Sequence, residues 1–220
     1  MFVNWLIKIH NKFDLCDRTY FLAVNIFDRY LGENPVKKEK LKVLICASLL
    51  VASKFEEILF NELRDYQIVS NFEFTQSGLL DMEADILKTL GFRIFQTCHM
   101  SMIEIIRKHY ELQTGFSKMV IYLLKLCTMN PLICFSDSAG LVVGVCCYVI
   151  KQCFGYVNPR ELSRFLKKNE LAFDDEFDRI ILENRIRDDC ILRKKAIGLN
   201  HDASLLIQLE KMISKKMKKN

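Results

Sequence analysis

The sequence predicts an all-α protein: two tandem five-helix bundles followed by a basic C-terminal helix or tail. Three observations carry that expectation. Apolar residues recur at helical spacing along nearly the whole chain, and no segment alternates convincingly enough for a strand. Two long helices that are apolar nearly all round end at Lys54 and Lys151, about a hundred residues apart, as the central helices of a repeated unit would. Only 3 Pro and 8 Gly occur in 220 residues, too few for a turn-rich β-sandwich. The expected divisions are residues 1–94, 95–195 and a tail over 196–220.

The first helix is read from Trp5, Ile9 and Phe13. The second carries Phe21, Val24, Ile26, Phe27, Tyr30 and Leu31 and should stop at Gly32, ahead of the turn Glu33-Asn34-Pro35. A third, from Val36 to Phe55, should lie at the bundle centre. Asn61–Ser70 and Ser77–Leu90 complete the first five, the last stopping at Gly91, and Phe92–Thr97 connects the halves. The second set runs from Met102 to near Tyr110, Phe116–Thr128, Ser136–Phe154, Pro159–Lys168 and Asp174–Lys194. Proline at a first turn and the acidic pair Asp174-Asp175 suit the starts of the last two.

Half the residues are apolar and 27% are charged, which excludes a disordered chain. The longest uncharged apolar stretches, Val43–Ala52 and Ser138–Ile150, are shorter than the roughly 18 residues that span a membrane. Nine cysteines are an odd count, several within apolar helical runs, and they read as reduced core thiols. The net charge of +5 is concentrated: from Arg193 onward the tail carries +6, leaving −1 for everything before it. A solvated helix end accounts for that tail, and nucleic-acid binding is the less favoured reading.

No catalytic constellation appears. Phosphate-binding loops, nucleophile elbows and H-E-x-x-H are absent, and the four histidines lack metal-ligand spacing. The carboxylate pairs Glu56-Glu57, Asp174-Asp175 and Asp188-Asp189 are adjacent, so on a helix they diverge by about 100°. Neither enzyme chemistry nor a cofactor or metal is expected.

The segment Ala47-Ser48-Leu49-Leu50-Val51-Ala52-Ser53-Lys54-Phe55-Glu56-Glu57 resembles the central helix of the cyclin box, which in A/B-type (mitotic-like) members reads close to A-x-L-L-A-S-K-F-E-E. Leu22–Leu31 is similar to the family's L-A-V-x-x-x-D-R-[FY]-L helix, Val3-Asn4-Trp5-Leu6 to V-D-W-L, and Met82–Phe92 to M-E-x-x-[IV]-L-x-x-L-x-[FY]. These motifs cover residues 1–94, in order; the second bundle rests on its helix pattern alone. The resemblance implies a non-catalytic regulatory subunit, with N-terminal and C-terminal cyclin-box folds, that forms a heterodimer with a cyclin-dependent protein kinase and activates it. It places that role in cell-cycle control at G2/M, in nucleus and cytoplasm. A cyclin-fold transcription factor gripping DNA is the alternative.

By the same resemblance Lys54 and Glu83 meet backbone groups flanking the kinase's helix C, and Phe55, Leu87, Phe92 and Ile94 line an apolar cup around it. Core packing is the competing reading for Phe55 and Phe92. A groove for R-x-L peptides of substrates or inhibitors would involve Phe2, Trp5, Lys8, Leu41 and Lys42. Lys8 stands where many members carry the glutamate that meets the peptide's arginine, and Lys42 replaces a glutamine, so the usual peptide is expected to dock poorly. Asp28 is expected to be a buried structural acid whose arginine partner would precede Met1, with the first helix truncated. Arg179-x-x-Leu182, half of a degradation signal, reads as structural.

Overall fold

The computed structural model describes residues 2–95, 99–112, 114–128 and 138–154. The chain divides into two compact units, Met1–Cys98 and His99–Asn220. Among the described residues the regular structure is helical, with no strand.

The first unit holds α1 (Phe2–Lys12), α2 (Asp17–Glu33), α3 (Leu41–Glu56), α4 (Leu63–Val69) and α5 (Gln76–Thr89). Every residue of α3 from Leu44 to Ser53 is buried, and α1, α2 and α5 pack against it. That is the central position its all-round apolarity requires. The third helix begins later than Val36, because Lys38–Lys40 form a 3₁₀ turn ahead of it. Tyr66 of α4 is fully buried, its hydroxyl 3.3 Å from Ser53 Oγ and its ring edge-on to Phe13 at 5.0 Å.

Four helices stop by one device. After α1, α4, α5 and the later α6 (His99–His109), a residue with positive φ reverses the chain: Asp14 (52°), Asn71 (55°), Gly91 (56°) and Glu111 (51°). The following amide bonds back five residues, as in Phe92 N–H to the Leu87 carbonyl at 2.9 Å, while the Gly91 N–H reaches the Lys88 carbonyl at 3.0 Å. Gly91 and Asn71 are residue types that mark such a stop, whereas Asp14 and Glu111 are poorer signals. Gly32, by contrast, lies within α2, which continues to Glu33.

In the second unit, α6 (His99–His109) and α7 (Thr114–Cys127) pack against α8 (Ser138–Phe154), which is buried throughout Leu141–Ile150. Glu104 joins α6 to α7, accepting from Ser117 Oγ at 2.7 Å and Arg107 Nε at 2.8 Å. Those two hydrogen bonds hold its carboxyl below the usual carboxylate range. No described helix is long and apolar enough to cross a membrane. The expected helices at Pro159–Lys168 and Asp174–Lys194, with Arg179, Leu182 and the basic tail, lie outside the described residues.

Candidate functional site

Lys54 occupies the last turn of α3, where the buried stretch ends and the chain emerges into solvent. Glu83 lies midway along α5, which packs on α3. The ammonium meets both carboxylate oxygens, at 2.7 and 2.8 Å. Lys54 keeps 36% of its side-chain surface in water and Glu83 only 12%, so the acid is held and the lysine head stays accessible. The Phe60 ring centroid lies 6.0 Å from the same ammonium, within cation–π range.

Apolar side chains next to this pair along the chain are not buried by the unit. Phe55 is 51% exposed and Phe92 70%, so neither is a core residue. Leu87 stands one turn beyond Glu83 on the same face of α5, half-buried. The reversal at Gly91 places Phe92 at the position that commonly packs on the residue five before it, which is Leu87. Ile94 differs from expectation. It is buried at 7% exposure, because the chain folds back into the unit after the turn, and it is removed from the accessible cup.

Ile58 (98% exposed), Leu59 (88%) and Phe60 extend the patch and were not picked out from the sequence. Their signal was available: three consecutive apolar residues just past a helix end, with no periodic partner to bury them. Glu57 anchors the start of this loop. Its carboxylate accepts from the Cys16 backbone N–H at 2.7 Å and from Thr19 Oγ1 at 2.5 Å. Cys16 is the N-cap of α2 but makes no side-chain cap, so Glu57 caps that helix from 41 residues away. Burial pushes its carboxyl up, but the hydrogen bonds from Thr19 and Cys16, with the charge of His10, outweigh it and leave it below the usual range.

The groove residues lie on α1 and at the start of α3, helices that pack together. Trp5 and Leu41 are half-buried and Lys8 is exposed three residues after Trp5. Phe2 opens α1, and its side chain lies outside the described residues. Lys42 sits 6.0 Å from the Trp5 ring centroid and pairs with Glu73. Asp28 is corrected: it is exposed, since it follows Phe27 by about 100° around α2 and leaves the buried stripe. Partial desolvation still raises its carboxyl to about 6. Among the described residues no group of three or more His, Cys, Asp or Glu is placed to hold a metal.

Residues 1–95 match the family model described as "Cyclin, N-terminal domain". Cyclin-B2-1 of Arabidopsis thaliana is 39% identical over 92 residues, 42% of this chain and 21% of that protein. G2/mitotic-specific cyclin-2 of Saccharomyces cerevisiae is 37% identical over 114 residues, 51% of this chain and 23% of its own length. G2/mitotic-specific cyclin-B2 of Oryzias javanicus is 28% identical over 147 residues, covering 66% and 38%. This chain thus spans well under half the length of these curated relatives. A viral cyclin from herpesvirus saimiri superposes with a TM-score of 0.71 over 86% of this chain and 82% of its own, at 17% identity, a likeness of fold.

Proposed function

We propose, from the premise that residues 1–95 belong to the cyclin family in its mitotic, B-type form, that this protein is a regulatory subunit that binds and activates a cyclin-dependent kinase at G2/M. The single observation that carries this reading is the held Lys54–Glu83 pair amid exposed Phe55, Ile58, Leu59, Phe60 and Phe92. An active kinase needs its β3 lysine paired with the helix-C glutamate. A rigid helical face that buries apolar surface of helix C can hold it inward, while Lys54 and Glu83 donate and accept at backbone groups beside it. Such charge-assisted hydrogen bonds contribute about 1.5–3 kcal/mol each. The partner forms a heterodimer with this chain, the chain itself performs no catalysis, and the complex works in nucleus and cytoplasm.

The groove around Trp5, Lys8, Leu41 and Lys42 is a secondary docking face that disfavours arginine-bearing peptides, because Lys8 offers like charge. The test is affinity purification of the chain from dividing cells with histone phosphorylation as readout. A co-purifying kinase whose activity depends on the chain supports the proposal. Retention on DNA that salt abolishes, without a kinase, would transfer the function to the nucleic-acid class.

A further inference from the structure

Residues 1–95 carry 12 Lys and Arg against 13 Asp and Glu, but the two signs are not evenly mixed. Six lysines lie on α1 and on residues 37–42, with Glu39 the one acid among them. α1 packs against α3, and the 3₁₀ turn Lys38–Lys40 leads directly into α3. The Lys42 ammonium, 6.0 Å from the Trp5 ring centroid, ties the two stretches together.

Trp5, Lys8 and Lys12 stand at i, i+3 and i+7, so they share one face of α1. Lys38 and Leu41 are three residues apart at the 3₁₀ turn and its exit, where such side chains align. Trp5 and Leu41 are half-buried, while Lys8, Lys12 and Lys38 are exposed. Glu73 takes up the charge of Lys42. Lys8, Lys12 and Lys38 form no ion pair with another described residue. Glu39 follows Lys38 by about a third of a turn and leaves the edge that Lys38 shares with Leu41. An apolar strip is therefore bordered by three cations that the described residues do not neutralise.

We propose that this face binds a short acidic segment of a partner protein, its apolar side chains against Leu41 and the Trp5 edge and its carboxylates at Lys8, Lys12 and Lys38. This occupant presupposes the groove reading of the same face and supplies the chemistry of the peptide that fits it. Charge complementarity selects the acid over an arginine-bearing segment. Single-stranded nucleic acid would match the charge, but its bases stack on aromatic ring faces, and Lys42 already lies over that of Trp5. Apolar side chains of a peptide need only the ring edge.

Fluorescence polarisation with the full chain is the test, the probe being a labelled peptide with two leucines among glutamates. Comparison probes replace the glutamates by glutamine, the leucines by alanine, or the peptide by a single-stranded thymidine oligonucleotide. The acidic peptide should bind saturably, at least about tenfold more tightly than each comparison probe, and less tightly as salt is added. Lys8→Glu should weaken it at least about fivefold. Lys88→Glu, the same charge change at an exposed site on α5, should leave it within about twofold of the unmodified chain. Equal binding of the glutamine or alanine peptide overturns the proposal but leaves a docking groove; no saturable binding of any peptide removes the groove as well. Tighter binding of the oligonucleotide, or equal weakening by Lys8→Glu and Lys88→Glu, also overturns it. None of these outcomes bears on kinase binding, which is read separately at Lys54 and Glu83.

Discussion

Glu57→Ala should destabilise the N-terminal unit far more than its place in a loop suggests. The carboxylate holds the Thr19 hydroxyl, which is fully buried, and the amide that opens α2. Hydrogen bonds to charged acceptors contribute about 1.5–3 kcal/mol each, and loss of a helix N-cap costs about 1 kcal/mol. Water can replace the lost acceptor at the exposed Cys16 amide but not readily at Thr19. About 2–4 kcal/mol in total is therefore expected, a fall in melting temperature of about 5–15 °C. Glu57→Gln keeps an acceptor oxygen and should lose about half as much. The pH dependence has a definite sign. The folded carboxyl lies below its ordinary value of 4.5, so its stabilisation is present above that pH and fades as pH falls through the folded value. Glu57→Gln should remove that share of the acid limb. Urea unfolding between pH 3 and 7 is the assay. A Glu57→Ala variant within about 0.5 kcal/mol of the unmodified protein, with an unchanged acid limb, would refute the capping argument.

Lys8→Glu should strengthen binding of Arg-x-Leu peptides about tenfold through a charge-assisted contact, read by fluorescence polarisation; no change would mean the peptide's arginine does not reach Lys8. Asp28→Asn should flatten the stability profile between 3.8 and about 6, because the folded carboxyl binds its proton more readily and stability otherwise rises as pH falls through that window. Glu111→Gly, at a φ of 51°, should raise stability by up to about 1 kcal/mol by removing the left-handed penalty, as thermal unfolding would report.

What the sequence made legible was what periodicity controls. The burial of Leu44–Ser53 and of Leu141–Ile150 follows from apolar residues on every side of α3 and α8. The Lys54–Glu83 meeting was foreseen from motif spelling together with helix packing, and the atoms are 2.7 Å apart. Chain reversals were harder, because Asp14 and Glu111 adopt the left-handed turn without glycine or asparagine to mark it. Ile94 and Asp28 were misplaced for a shared reason. Burial of single residues near a helix end or stripe edge depends on how the chain bends and what covers it, which no local pattern records. The apolar run Ile58–Phe60 escaped because a loop has no period to test against. Glu57 escaped because its partners lie 38 and 41 residues earlier.

The proposal that the Lys54–Glu83 face holds a kinase is tested most directly by measuring kinase affinity and activation for Lys54→Ala and Glu83→Ala beside the unmodified chain. Lys54 is the solvent-facing member of the pair, at the rim of the unit, so circular dichroism should find the Lys54→Ala fold intact. Kinase affinity should fall tenfold or more in each variant, equivalent to at least about 1.4 kcal/mol, with activation lost in step. Unchanged affinity and full activation by both variants, in a folded chain, would contradict the assignment of this face to the kinase.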